Sequence, residues 1–387
     1  MKLPIDLKAV IEAATDIESA RNTPVSVSVL IDDSAPGDVA AHVRSAFVGA
    51  GAHARVTVGY FAGPAFSPYE GDDMAVIVAG FSEEVGRRAA EIRAAGVPVM
   101  VVTSMPRLVA DMASAYGNPI PEGDLVAPEG VEGCEADGDA ACESGDVTGA
   151  RVSVFAGIRA AKSAGAGAAA GSSGAAASSP EILDAPIPID AAAAAALDRR
   201  MGEWVVAACR EKRLALALSF PFVRRPLSLE AVSATSLQNA GIGLVLFIPG
   251  ADMPLMTLNQ AKMLLQIAAA YGEPMSVARV KELAAIVGGA FACRSVARQV
   301  AGAVPAIGCA VKAGVGYAGT KAMGLAAVEY FERGGNIAGL AGVVSTATAK
   351  ATQIAGDVAA TPAGARVLST VKAAVRQGAA SVLKKTE

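Results

Sequence analysis

Three short apolar runs constrain this chain more than anything else in it: Val25–Ile31, residues 74–79 and residues 97–103. Each is too short for a core helix and rich in Val, Ile and Met, with Ser26 and Ser28 the main polar interruptions. Runs of that kind are strands buried on both faces, and such strands belong to parallel sheets. The segments between them carry helical spacing. Residues 38–49 form one helix, residues 82–95 a second with Glu83, Glu84, Arg87 and Arg88 outward, and residues 106–116 a third. A further strand is expected at 55–61 and a last one at 124–127. Strands alternating with helices give an α/β, doubly wound, mostly parallel sheet. Ahead of it, Leu3, Leu7, Val10, Ile11, Ala14 and Ile17 recur at helical spacing. That helix is expected to dock on the domain that follows.

After residue 128 the pattern stops. Glu129, Glu132, Glu135, Asp137, Asp139, Glu143 and Asp146 come without a basic residue among them, and 164–179 is almost wholly Ala, Gly and Ser. The acidic carboxylates lack the spacing of a calcium loop, and the composition is that of a linker. Asp190 then caps an Ala-rich helix that carries Trp204 and is expected to run to Arg213.

The chain is 53% hydrophobic with only 4% aromatic residues and a mean hydropathy of +0.43. Residues 1–190 hold 12 Lys and Arg against 26 Asp and Glu, a net −14. Residues 191–387 hold 21 against 11, a net +10. A basic, apolar half suits an anionic membrane surface, where each basic residue contributes about 1 kcal/mol. Cys134, Cys142, Cys209, Cys293 and Cys309 show no metal spacing and read as reduced thiols. The start has no signal-peptide core. With His42 and His53 alone, His-based zinc sites and Ser-His-Asp catalysis are disfavoured.

The second half turns on residues 241–256. An apolar run ends in Pro249-Gly250, meets Asp252, and resumes as a long apolar helix closing at Tyr271-Gly272. Pro249 disfavours a helix through it, so a hairpin or bend is expected, with Asp252 at the start of the second helix. Asp252 has two readings: a cap on free N–H groups, or a partner for a buried cation such as Lys262 or Arg298. Arg294 and Arg298 stand one turn apart, placed to share a partner or face lipid head groups. The tail from about 336 is Ala- and Val-rich and basic at its end.

The Ile-Pro-Gly-x-Asp turn, the Tyr-Gly helix end, the Ala-Arg-Gln-hydrophobic segment and the Tyr-Phe-Glu-Arg-Gly of 330–334 together resemble the YcjF-type domain of unknown function. The resemblance covers roughly 235–334. That family is found on inner-membrane proteins and behind Era-like GTPases, so the resemblance implies a membrane setting and a GTPase-like domain upstream.

In a parallel sheet, ligands sit at the carboxyl ends of the strands. The first such loop is Asp32-Asp33-Ser34-Ala35-Pro36-Gly37-Asp38-Val39. A Walker A loop needs glycines for the phosphate nest, a lysine and a hydroxyl for Mg²⁺. Here Asp32 stands for the first glycine, Gly37 keeps the second, Asp38 replaces the lysine and Val39 the hydroxyl. Thr103-Ser104 follows the strand that would carry a base-recognition Lys and Asp, and neither is present. The domain thus resembles a degenerate Era-like GTPase. It also resembles a response-regulator receiver, with Asp32-Asp33 as the acidic pair and Thr103 as the switch hydroxyl. Ala79 or Gly80 then stands where the phosphorylated aspartate belongs. Asp32 and Asp33 serve either as caps and turns or as ligand contacts.

The expected organisation is an α/β domain at 1–127, a linker at 128–189, connecting helices at 190–232, a YcjF-like helical domain at 233–335 and a basic tail at 336–387. The expected function is a non-catalytic scaffold or regulator with no cofactor and no nucleic-acid partner. It is placed at the cytosolic face of the cytoplasmic membrane, peripheral or partly inserted, with a protein partner or a homo-oligomer. Two alternatives stand beside it: a nucleotide-dependent switch with an atypical phosphate site, and a soluble helical homo-oligomer.

Overall fold

The computed structural model describes residues 7–51, 53–61, 71–128, 186–245, 252–275 and 308–335, together with 339, 340, 342, 344 and 346. The apolar runs become strands: β1 (Val25–Ile31), β2 (Ala54–Tyr60), β3 (Met74–Val78), β4 (Val99–Val102) and β5 (Leu125–Val126). They form one sheet in the order β2-β1-β3-β4-β5, with every pairing parallel. β1 lies between β2 and β3, Val27 pairing with Val56 on one side and Met74 on the other. β3 and β4 are buried along their whole length, which is why their sequences do not alternate. β2 forms one border of the order and is only half buried.

Side chains from the two sheet faces enter different cores. Val27, Val29 and Ile31 point into a cluster with Val39, Val43 and Phe47 of α2 (Gly37–Val48). Leu30 and Ile77 point the other way, toward Val85, Ala89 and Ile92 of α3 (Glu84–Ala94) and Val109 of α4 (Pro106–Ala115). The α/β class and parallel sheet expected from the sequence are present.

The first cluster continues into the second half of the chain. α5 (Ala191–Ala208) supplies Leu197, Met201, Trp204 and Val205 to the sheet core, and Ala215, Leu216, Phe220 and Val223 join them. Phe47 packs against Phe220 and Phe222 with ring centroids 5.0 and 5.2 Å apart. The helix opened by Asp190 stops at Ala208, short of the expected Arg213. Asp190 accepts the amide of Ala193 at 2.8 Å as its cap. After the break come α6 (Arg213–Ser219) and α7 (Pro221–Val245), the latter carrying Pro226 inside it.

α8 (Asp252–Ala270) and α9 (Gly308–Glu332) complete a helical layer around α7. α7 ends at Val245 and α8 opens at Asp252, and Asn239 of α7 reaches Met256 of α8, so the two helices pack side by side. α8 closes at Tyr271-Gly272, where Gly272 takes φ +91° and the amides of Gly272 and Glu273 bond back to Ala269 and Ala268. The leading helix α1 (Leu7–Arg21) forms, with a correction to its place. Val10, Ala14 and Ile17 pack into the helical layer with Leu264, Ile267 and Ala268 of α8, not onto the sheet. Its apolar stripe matches an apolar helix face better than a sheet already covered by its own helices. No described helix is long and apolar enough to cross a membrane.

Candidate functional site at the carboxyl edge of the sheet

In the order β2-β1-β3-β4-β5 the strand connection reverses between β1 and β3, and the loops there flank the crevice where doubly wound folds bind ligands. The loop after β1 begins with Asp32, 3% exposed, whose carboxylate is fully engaged. Its Oδ1 accepts the amide of Ser34 at 3.1 Å. Its Oδ2 accepts the Ser34 hydroxyl at 2.9 Å, the amide of Gly80 at 2.9 Å and the amide of Ser82 at 3.2 Å. The Ser34 hydroxyl in turn accepts the Phe81 amide at 2.7 Å. Three backbone N–H groups and one O–H thus converge on an anion that belongs to the protein.

Gly80 permits this approach. A side chain there would stand 2.3 Å from the Ser34 carbonyl carbon, inside the backbone of the facing loop. For the same reason the position cannot hold the aspartate of a receiver. Gly37, the glycine kept from the Walker pattern, behaves differently: it begins α2, and no atom of the described residues lies within 4 Å of where its side chain would be.

The remaining residues of the edge serve the chain's own backbone. Asp38 is exposed; its Oδ1 accepts the Val39 amide at 2.8 Å and its Oδ2 the Ile189 amide at 3.0 Å. The Thr103 hydroxyl, fully buried, accepts the Met105 amide at 3.1 Å. The Ser104 carbonyl accepts the Ile187 amide at 3.2 Å. The Ser104 hydroxyl is 1% exposed and has no hydrogen-bond partner among the described residues. Asp33 is exposed at the rim. Asp32, Ser34, Asp38 and Thr103 therefore share one edge with their side chains turned toward backbone groups, and Ser104 joins them through its carbonyl.

At the amino edge the chain is pinned by residues that strand pattern alone did not single out. Asp72 accepts the hydroxyls of Ser26 and Ser28, and Asp73 accepts the Ser26 amide at 2.9 Å while pairing with Lys212 at 2.6 Å. The alternate serines of β1 were the available signal. Cys209 lies close by, and burial first, then the Asp73 charge, pushes its thiol up to about 12. Such a thiol is inert at neutral pH.

The helical layer holds a second feature missed in the sequence. The Thr320 hydroxyl of α9 accepts from Asn239 at 3.0 Å and Gln260 at 2.8 Å, and donates to the Gly316 carbonyl at 2.7 Å. Asn259 donates to the Asn239 side-chain oxygen at 3.1 Å. Asn239, Gln260 and Thr320 are completely buried, so this network ties α7, α8 and α9 together. Tyr271 stacks on Phe331 at 5.9 Å, and burial, then Glu332, raises its hydroxyl pKa. A groove of about 370 Å³ runs between α7 and α9. Its arginines are paired, Arg225 with Glu332 and Arg333 with Glu329.

Lys262 is exposed on α8 and Asp252 stands at that helix's first position. Pro249, Gly250, Arg294 and Arg298 lie outside the described residues. Among the described residues no group of three or more His, Cys, Asp and Glu is placed to hold a metal ion. No family model, no curated protein and no solved structure matches the chain.

Proposed function

We propose that this chain is a non-catalytic scaffold or regulatory protein, bound to the cytosolic face of the cytoplasmic membrane, whose α/β domain has replaced its ligand with a side chain. The observation that carries the reading is the Asp32 carboxylate, lodged on the Ser34, Gly80 and Ser82 amides. Converging amides at a switch point are the means by which such folds hold phosphate. Here they are consumed, and a second anion would meet a fixed negative charge. The nucleotide-switch alternative requires that carboxylate to leave.

Two ancestries were open for the sheet, a degenerate Era-like GTPase and a pseudo-receiver. The all-parallel order β2-β1-β3-β4-β5 is that of flavodoxin-like sheets, the class that includes receivers, and favours the second. Either ancestry leads to the same ligand-poor domain.

Membrane association rests on the charge split and on the YcjF-like segment at 235–334. The +10 of residues 191–387 would face anionic lipid and the −14 of residues 1–190 the cytosol. Flotation of the full chain with phosphatidylserine-containing and with neutral vesicles tests this. Binding only to the anionic vesicles, released at 0.5 M salt where screening is strong, is the expected result. Absence of binding to anionic vesicles at low salt removes the membrane from the reading.

A further inference from the structure

Residues 186–190, Pro186-Ile187-Pro188-Ile189-Asp190, rejoin the domain after the segment 129–185 and cross the carboxyl edge of the sheet. Their exposure alternates: Pro186, Pro188 and Asp190 face solvent, while Ile187 and Ile189 are half-buried. Their hydrogen bonds alternate in the same phase. The Ile187 amide donates to the Ser104 carbonyl after β4, and the Ile189 amide to Asp38 Oδ2 in α2, while Ile189 also packs on the sheet core. The prolines, which lack an N–H, occupy the positions where no donor is required. A two-residue period of inward side chains and inward amides is how a bound peptide lies in a groove. The strap thus rests on Asp38 at the start of α2, on Ser104 after β4 and on the sheet core. Ser104, whose carbonyl takes the Ile187 amide, also carries a buried hydroxyl with no hydrogen-bond partner among the described residues.

We propose that this groove is a peptide-docking site, filled in cis by the strap at 186–190 and opened to a partner protein when the strap leaves. The partner is one that presents an extended segment of β-branched apolar residues alternating with proline. The strap's own chemistry defines the fit: two apolar side chains two residues apart, an amide for Asp38, an amide for the Ser104 carbonyl, and prolines outward. Tethering gives the cis strap a local concentration of millimolar order. A free peptide therefore competes poorly until the strap is weakened. The proposal stands apart from the membrane reading, since the hydrogen bonds that seat the strap are with Ser104 and Asp38 of the α/β domain.

The test has two arms on the full-length protein. In the first, amide hydrogen exchange is followed residue by residue. The Ile187 and Ile189 amides are expected to exchange at least 100-fold faster than those of Val29 and Val76, because the strap opens while the sheet stays folded. Exchange of strap and sheet at one common rate makes the strap part of the core and overturns the proposal. In the second, a fluorescent peptide of sequence Ala-Pro-Ile-Pro-Ile-Asp is titrated into the parent and into an Ile187→Asp, Ile189→Asp double variant. Binding at least 10-fold tighter to the double variant, reduced by adding Asp38→Ala and absent for a peptide with both Ile replaced by Asp, is the expected outcome. Equal binding to parent and double variant, or no binding to either, overturns it. So does a concentration-dependent dimer of the parent that excludes the peptide, which would assign the groove to a second copy's strap. Should the double variant not fold, the exchange measurement on the parent decides.

Discussion

Asp32 and Gly80 are joined across the switch point of the sheet: the Gly80 amide donates to Asp32 Oδ2 at 2.9 Å, and the absent side chain of Gly80 is what lets the two loops meet. The contact links β1 to β3 at their carboxyl ends. Asp32→Ala strips the acceptor from three amides and a hydroxyl, and is expected to cost about 3–5 kcal/mol. Asp32→Asn keeps one acceptor oxygen and sets an amide against a donor, so its cost is smaller, about 1–2 kcal/mol. Gly80→Ala drives a methyl into the Ser34 backbone and costs about 1–3 kcal/mol. Urea denaturation measures all three; a parent-like midpoint for Asp32→Ala would show that the clamp holds nothing.

Gly37 gives the opposite expectation. It stands in a helical turn with open space around its missing side chain. Gly37→Ala is predicted to raise stability by about 0.4–1 kcal/mol through the unfolded chain's lost freedom. A loss of more than about 1 kcal/mol would mean that the loop uses this glycine as a phosphate nest would.

The polar centre of the helical layer depends on one hydroxyl. Thr320→Val removes the acceptor shared by Asn239 and Gln260 and is expected to cost about 2–4 kcal/mol. Thr320→Ser keeps the hydroxyl and gives up one buried methyl, about 1 kcal/mol. Equal destabilisation by the two variants would assign the effect to packing alone.

Alkaline pH provides a separate handle. The Cys209 thiol, 7% exposed, is raised from 9.0 to about 12 in the fold. Between those values the unfolded chain has released the proton and the folded chain has kept it. Stability is therefore unaffected by this group below about pH 8 and falls as pH rises from 9 toward 12, by up to about 1.4 kcal/mol per pH unit. Cys209→Ala removes that component of the slope. An unchanged slope in the variant would leave it to other groups, Tyr271 among them.

Much of the α/β domain was legible because burial on both faces writes itself as unbroken apolar runs, as in Met74–Val78 and Val99–Val102. Asp190 was legible for a local reason: a cap and its target amide lie three residues apart. What escaped was long-range. Asp32 takes donors from residues 48 and 50 positions away, and Thr320 bonds Asn239 across 81. No spacing rule connects such positions. The return of α5 to the sheet was hidden behind segment 129–185, whose composition carries no period. The α1 stripe stated that the helix docks, but an apolar stripe does not name the surface that receives it.

The occupied edge is tested most directly by isothermal titration of the full-length protein with GTP and with ATP in the presence of Mg²⁺. With Asp32 on the switch-point amides and Asp38 where a phosphate-binding lysine would stand, no heat of binding is expected up to about 100 μM nucleotide. A dissociation constant below about 10 μM, roughly −7 kcal/mol, would contradict the account and return the nucleotide-dependent switch to first place.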